Sequence, residues 1–349
     1  MDEYILNERE KAILRYVIHQ FILTASPVGS RNIAKKYQLG LSPATIRNIM
    51  SDLEDSGFLD HPHTSAGRAP TDKGYRFYVD SLMDPPQILE HQKNIIETEL
   101  NVFQSETSEL LKLTASLLSE LTNQLACVIY PKFENSVLKN IQIVQLSSKR
   151  ILVVISIKSG LVKTITLEVE TEVSRDNLNA VQQLLNERLS GLKFSEIRET
   201  LRERLENFNK TQYKPIIRVF LDSVDKLFRD TKIEDQSFVT GAKNILKHPE
   251  FEGQDKLKGV IELIEEKDII IHIMDKVKSG SKDVTITIGQ ETQESKLSDY
   301  SMISKEYTIG TATGTVGIMG PKRMEYSKMI ATVTYVAEQL SKGLKSFQI

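Results

Sequence analysis

Eight side chains near the start of the chain have the types and spacing to read a nucleic acid. Arg47, Asn48 and Ser51 share one face of an expected helix with Ala44, and Thr45 flanks them. Arginine and asparagine carry the forked donors and acceptors that distinguish guanine and adenine in a major groove. The small neighbours let such a face approach base edges closely. Ser42 stands at the expected N-terminus of that helix, where hydroxyl and backbone amides can hold a phosphate. Downstream, Arg68 is the one arginine in a loop of small residues and could grip a backbone or a minor groove. Lys73 and Arg76 follow as candidate phosphate contacts.

The elements that must position these residues are legible. Asn7 and Glu10 are spaced as a capping box, and Leu14, Val17, Ile18 and Phe21 form one helical stripe. Ser26-Pro27 ends that helix. Ser30 is the expected cap of a short second helix carrying Ile33, Ala34 and Tyr37, with Gly40 in the turn after it. Ser42 and Pro43 suit the cap and first turn of a third helix, whose apolar stripe is Ile46, Ile49, Met50 and Leu53. Asp52, Glu54 and Asp55 gather in its C-terminal half, away from the end that enters a groove. Two short helices and a tight turn make a helix-turn-helix. Gly57 to Asp60 as a short strand, the loop from His61 to Pro70 and the ordered segment from Thr71 make it winged. The same pattern also serves protein-interaction modules; Ser42-Pro43, Arg47-Asn48 and Gly67-Arg68 together favour DNA.

The remaining chain sets limits. With 349 residues, 40% hydrophobic and 26% charged, it is long enough for two or three globular domains. Its longest apolar run, residues 151–157, is far short of the roughly 20 residues of a membrane span. The acidic, polar N-terminus is unlike a signal peptide, and the single cysteine, Cys127, excludes an internal disulfide. A cytoplasmic location is expected. Net charge is −2, and residues 1–83 hold ten basic and ten acidic side chains, so binding to DNA must rest on placement.

Asp84-Pro85-Pro86 breaks the chain. One long helix is expected over about 88–126, with Leu100, Phe103, Leu110, Leu113, Leu117, Leu121 and Leu125 on its stripe. Strands follow at 141–146, 151–157 and 161–169, then a helix over 176–189. Residues 196–232 carry 16 charged side chains in 37, well above the chain average, and read as a helical insert. Beyond it come a short strand at 238–241, a helix at about 254–266 and strands at 284–288 and 302–308. A glycine-rich turn at 314–320 and a final helix from Pro321 to about Leu344 complete the pattern. The expected fold class is α+β and multidomain.

Three motifs point to chemistry that their context does not support. His61-Pro-His63 lacks further metal ligands nearby. The glycines from 310 to 320 are followed by Pro321-Lys322-Arg323, where a phosphate loop needs lysine then serine or threonine. Cys127, in a Leu-Ala-Cys-Val-Ile run, reads as a small buried hydrophobe. No nucleophile is paired with a base, so neither an enzyme nor a cofactor is expected.

Leu41-Ser-Pro-Ala-Thr-Ile-Arg-Asn-Ile-Met-Ser-Asp-Leu-Glu54 and residues 63–79 resemble the bacterial heat-inducible transcription repressor family HrcA. The resemblance extends through residues 241–251, Ile288-Gly-Gln-Glu291 and Gly317-Ile-Met-Gly-Pro-Lys-Arg-Met-Glu-Tyr326. Thr292 and Lys322 depart from the expected pattern, and neither lies in the DNA-binding segment. The resemblance implies a winged-helix domain over 1–86, a discontinuous GAF-like α/β domain over 87–195 and 270–349, and a mostly helical dimerisation domain inserted at 196–269. It implies a homodimer on the inverted-repeat CIRCE operator of chaperone operons, kept active by the GroE chaperonin and derepressed on heat stress. The apolar positions Ile216, Val219, Phe220, Val224 and Leu227 become candidates for the dimer contact. A repressor gated by a small molecule in the GAF-like domain is the alternative.

Overall fold

The computed structural model describes residues 5–37, 40–62, 67–101, 107–170, 172–208, 213–229, 237–275, 283–310 and 312–346. Helix α1 (Glu8–Thr24) opens on the expected capping box. The Asn7 side chain accepts from the amides of Arg9 and Glu10, and the Glu10 carboxylate accepts from Asn7 N–H. Ala25, in the left-handed region at φ 53, stops it. Helix α2 (Ser30–Lys36) is capped by Gly29, so Ser30 is its first helical residue rather than its cap. Helix α3 (Pro43–Asp55) follows, then a ribbon of β1 (Leu59–Asp60) and β2 (Ala69–Pro70), then α4 (Asp72–Phe77). Leu14, Val17, Ile18, Ile33, Ile46, Met50, Leu53, Phe58 and Tyr75 close the core of this unit.

The long helix expected over 88–126 is two helices and a strand: α5 (Glu90–Asn101), α6 (Thr107–Thr122) and β3 (Leu125–Lys132). Phe103 lies outside the described residues. Asn123 takes a left-handed conformation (φ 53), which ends the helix and turns the chain into β3. Leu125, counted on the helical stripe, begins that strand.

The chain then forms a unit with its own sheet, the meander β4 (Leu138–Ser147), β5 (Arg150–Ile157) and β6 (Val162–Glu168). Four helices cover it: α7 (Arg175–Leu189), α8 (Phe194–Leu205), α9 (Lys214–Asp222) and α10 (Val224–Phe228). One sheet face is buried through Ile141, Ile143, Ile151, Val153, Ile155, Ile165 and Leu167. Of the positions expected at a dimer contact, Ile216, Phe220 and Leu227 are buried in this unit's own core, and Val219 and Val224 are half-buried against it. The three buried side chains are packed within one chain and are not free for a partner.

After β7 (Ser237–Thr240) come α11 (Ala242–Ile245), α12 (Gln254–Glu265) and α13 (Lys267–Asp275). Then come β8 (Thr285–Ile288), β9 (Tyr300–Ile309), β10 (Ala312–Pro321) and α14 (Tyr326–Ser346). Strands β7, β3, β10, β9 and β8, in that order, form one antiparallel sheet. The excursion therefore runs from the end of β3 to the start of β7, not over 196–269. It contains the three strands at 138–168, and α11–α13 belong with the five-stranded sheet. Charge density marked part of the excursion, but backbone pairing of β7 with β3 decides where it closes.

Both faces of the larger sheet are buried. Leu125, Cys127, Ile129, Tyr300, Met302 and Met319 pack with Val260, Leu263, Ile270 and Ile271 of α12 and α13. Ala126, Val128, Ile303, Val316 and Ile318 belong with Leu111, Leu118, Val333 and Leu340 of α6 and α14 to the other core. The glycine-rich segment at 314–320 is thus not a turn. It lies in β10, a central strand paired on both sides, and α14 starts only at Tyr326. Burial pushes the Cys127 thiol up to about 12. A free thiol near 8.5 is alkylated readily at pH 8. Cys127 should react with iodoacetamide at pH 8 at least about tenfold more slowly than free cysteine, and at the free rate in urea; intact-mass spectrometry of quenched samples reads both.

Candidate nucleic-acid interface

Helix α3 carries the candidate reading face. Its N-cap, Ser42, accepts the Thr45 amide through Oγ at 3.1 Å, and Pro43 fits the first turn, where no amide partner is needed. Ile46, Met50 and Leu53 are buried against the rest of the unit, which turns the other side outward. Ser42, Ala44, Thr45, Arg47 and Asn48 are exposed, and Ser51 is half-buried at the edge of the same face. The Ser42 and Thr45 hydroxyls also meet at 3.0 Å.

The ribbon beside α3 places its cation differently from the sequence reading. Residues 63–66, the loop tip with His63, lie outside the described residues. Arg68 is at the root of the ribbon: its backbone pairs with Val28 through hydrogen bonds of 2.8 and 2.9 Å. A Cβ at Gly67 would sit 2.3 Å from the Val28 carbonyl, so only glycine permits this approach. The Arg68 guanidinium turns back to Glu54, at 2.6 Å, and is largely buried. It neutralises an acid on α3 and is not a free tip cation.

Lys73 and Arg76 are engaged as well. Lys73 donates to the Ser56 carbonyl at 2.8 Å and lies over the Phe58 ring. Arg76 is bonded to groups outside α3. Its Nε donates to Glu291 at 2.8 Å and its Nη2 to the Ile286 carbonyl at 2.7 Å, which joins α4 to β8 and the turn after it. Arg76, expected to contact a phosphate, is paired here with this carboxylate.

Neighbouring groups make the same crossing. Lys322 donates to Asp72 at 2.6 Å, and the Gln290 amide donates to the other Asp72 oxygen at 3.0 Å. Arg323, paired with Glu250, donates to the Ile22 carbonyl of α1 at 2.6 Å. Sequence reading missed Asp72, Glu291 and Arg323 because their partners lie more than 70 positions away. The quoted motifs at 288–291 and 317–326 were the only signal. Arg31, exposed in the first turn of α2, was also passed over.

Among the described residues, no three His, Cys, Asp or Glu side chains are grouped to hold a metal ion. No helix there is long and apolar enough to cross a membrane.

A family model described as the HrcA protein C-terminal domain matches residues 108–330. Similar proteins include the heat-inducible transcription repressor HrcA of Chlorobium phaeobacteroides (strain BS1), 39% identical over 97% of this chain and 98% of that protein. Those named alike from Prosthecochloris aestuarii and Chlorobaculum tepidum are 41% and 42% identical, covering 96% and 97% of this chain and 97% and 98% of theirs. A crystal structure of a hypothetical protein is 22% identical, with a TM-score of 0.58 over 98% of this chain and 100% of that one, a likeness of fold. The motifs along the chain and these full-length similarities agree, and the chain belongs to the HrcA family of heat-inducible transcription repressors.

Proposed function

We propose that this chain is a heat-inducible, DNA-binding transcriptional repressor, and that it is not an enzyme. In this reading the N-terminal unit is a winged helix and the five-stranded sheet with its helices is a GAF-like domain. The observation that carries it is the outward face of α3: Ser42, Thr45, Arg47 and Asn48 are exposed on a helix whose Ile46, Met50 and Leu53 are buried. Thr45, Arg47, Asn48 and Ser51 read bases, and Ser42 holds a phosphate. Arg68 and Lys73 support the ribbon, and Arg68 offsets Glu54. The operator is the CIRCE inverted repeat, and the GroE chaperonin keeps the repressor active. Heat releases it, since a domain holding about 5–15 kcal/mol is emptied by modest losses. Among the described residues both faces of the five-stranded sheet are filled by packed helices, and none of these contacts favours the small-molecule alternative.

Fluorescence anisotropy on a labelled inverted repeat and a scrambled duplex, with and without chaperonin, tests this. Specific binding that rises with chaperonin is the expected result. Failure of a folded dimer to prefer the operator, with chaperonin present, overturns it.

The dimer contact is assigned to the open face of the three-stranded sheet. Val144, Leu146 and Val162 are about half exposed there, beside Leu152 and Val154. Both edges of this sheet carry contacts from helices. Asn186 and Gln182 of α7 bond the β4 backbone at Ile141 and Ile143, while Lys163 and Lys226 tie β6 to α10. Face-to-face packing is then the open mode of association. Val144→Asp with Val154→Asp should give a folded monomer by light scattering. Its operator affinity should fall by on the order of 100-fold or more as avidity is lost.

A further inference from the structure

We infer that the charged junction between α4 and the C-terminal sheet is a positioning device that sets the spacing at which two reading helices meet DNA. The inference rests on the proposed dimeric repressor. The N-terminal unit is held at separated points. On α4, Arg76 grips Glu291 and the Ile286 carbonyl, and Asp72 receives Lys322 and the Gln290 amide. At the end of α1, the Ile22 carbonyl receives Arg323. Beyond α4, the Pro85 carbonyl receives the Ser327 hydroxyl at 3.1 Å. Bonds to α4, to the end of α1 and to the segment beyond α4 engage three separate parts of the unit.

The junction is built closely. Gly289 has φ 52, and a Cβ there would lie 2.2 Å from the Asp72 carboxylate. Only glycine at 289 lets that carboxylate reach the next amide. Tyr75 and Tyr326 pack ring to ring at 6.0 Å beneath the ion pairs, and Tyr326 in turn donates to the Lys322 carbonyl at 2.7 Å. None of the bonds named here involves α3, whose reading face stays exposed. The device holds the reading helix from behind and leaves its contacts free.

A dimer reads two half-sites whose separation must match the protein. Inserting one base pair turns one half-site by about 34° and moves it about 3.4 Å. A rigidly held pair cannot follow both changes. Arg76, Asp72, Glu291 and Arg323 are thus positioning residues for spacing selectivity, though they touch no base.

The test is anisotropy on inverted repeats with the spacer changed by −2 to +2 base pairs. It compares the full-length protein with Glu291→Gln, Asp72→Asn, Arg76→Ala and Arg76→Lys. The unaltered protein should lose on the order of 100-fold in affinity per added or removed base pair, as one half-site's contacts are forfeited. Glu291→Gln and Asp72→Asn should flatten that penalty to about tenfold or less, and Arg76→Lys should fall between Arg76→Ala and the unaltered protein. Parallel spacing profiles in all variants overturn the inference. So does a uniform loss with a shallower salt slope in Arg76→Ala alone, which would assign Arg76 to a phosphate.

A second readout needs no DNA. Spin labels at Asp55→Cys and Glu338→Cys, diluted with unlabelled chain, report the distance between the N-terminal unit and α14. A narrow distribution that broadens in Glu291→Gln supports the device, and an unchanged distribution overturns it. If the unaltered protein shows no operator preference at any spacing, the repressor reading fails, and the distance measurement still decides whether the junction is rigid.

Discussion

Arg47→Ala and Asn48→Ala should each lower affinity for the operator by about 1–3 kcal/mol, roughly 5- to 150-fold, and relax specificity at one base position. The two effects differ off the operator. Arg47 carries charge, so its loss also weakens binding to random DNA and reduces the salt slope slightly. Asn48 is neutral, so its loss leaves random-duplex affinity unchanged. Both side chains are exposed on α3 while Ile46, Met50 and Leu53 hold the helix in place. Neither substitution therefore disturbs packing, and circular dichroism and melting should match the unaltered protein. Competition anisotropy against operators substituted at single positions provides the check. Unchanged affinity for both operator and random DNA in Arg47→Ala would reject α3 as the reading helix.

Gly314→Val should destabilise the C-terminal domain by roughly 2–4 kcal/mol and lower its melting transition by roughly 5–15 °C. Gly314 lies on β10 opposite Tyr307 of β9. The Tyr307 ring crosses directly over it, and its hydroxyl donates to the Ile129 carbonyl of β3 at 2.8 Å. That carbonyl is next to a register shift between Thr313 and Thr315, where the β3–β10 ladder is interrupted. The tyrosine thus spans three strands and satisfies a backbone group near the irregularity. A Cβ at 314 would be 2.4 Å from the ring. The ring is fully buried and cannot swing aside without losing both its packing and its hydrogen bond. Tyr307→Phe isolates the second part and should cost about 1–3 kcal/mol, because the Ile129 carbonyl is left unpaired. Differential scanning calorimetry of both variants tests the assignment. A Gly314→Val protein melting with the unaltered one would mean that the ring and the glycine are not in contact.

Local order was largely legible in the sequence. The capping box at Asn7 and Glu10, the Ser42 cap with Pro43 and the stripe of α3 depend on neighbours within a few positions. So do the β meander and α7, whose alternation and periodicity reflect one buried face each. Where two faces are buried, the signal fails. Gly314, Gly317 and Gly320 read as a turn because glycine usually marks one. In β10 they instead admit Tyr307, the Ile303 carbonyl with Ser304, and Gln124, each closer than a side chain would allow. Leu125 prolonged a helical pattern that Asn123 had already ended.

Of the candidate site, the α3 face was readable, since an amphipathic helix shows its outward side by what its inward side omits. The destinations of the long cations were not. Arg68, Lys73 and Arg76 looked alike in sequence: basic residues in or just after a small-residue loop. The tertiary structure sends Arg68 to Glu54, Lys73 to the Ser56 carbonyl and Arg76 to Glu291.

By itself, then, the sequence determined the helices that present the candidate reading face, the strands of the meander and the family. Only the tertiary structure decided where the inserted unit begins and ends, which apolar face remains open, and which charges bind this chain's own acids. The physical reason is range. Caps and periodicity act over one or two turns, whereas sheet pairing and ion pairs join residues such as Arg76 and Glu291, 215 positions apart, that meet only after the chain has folded.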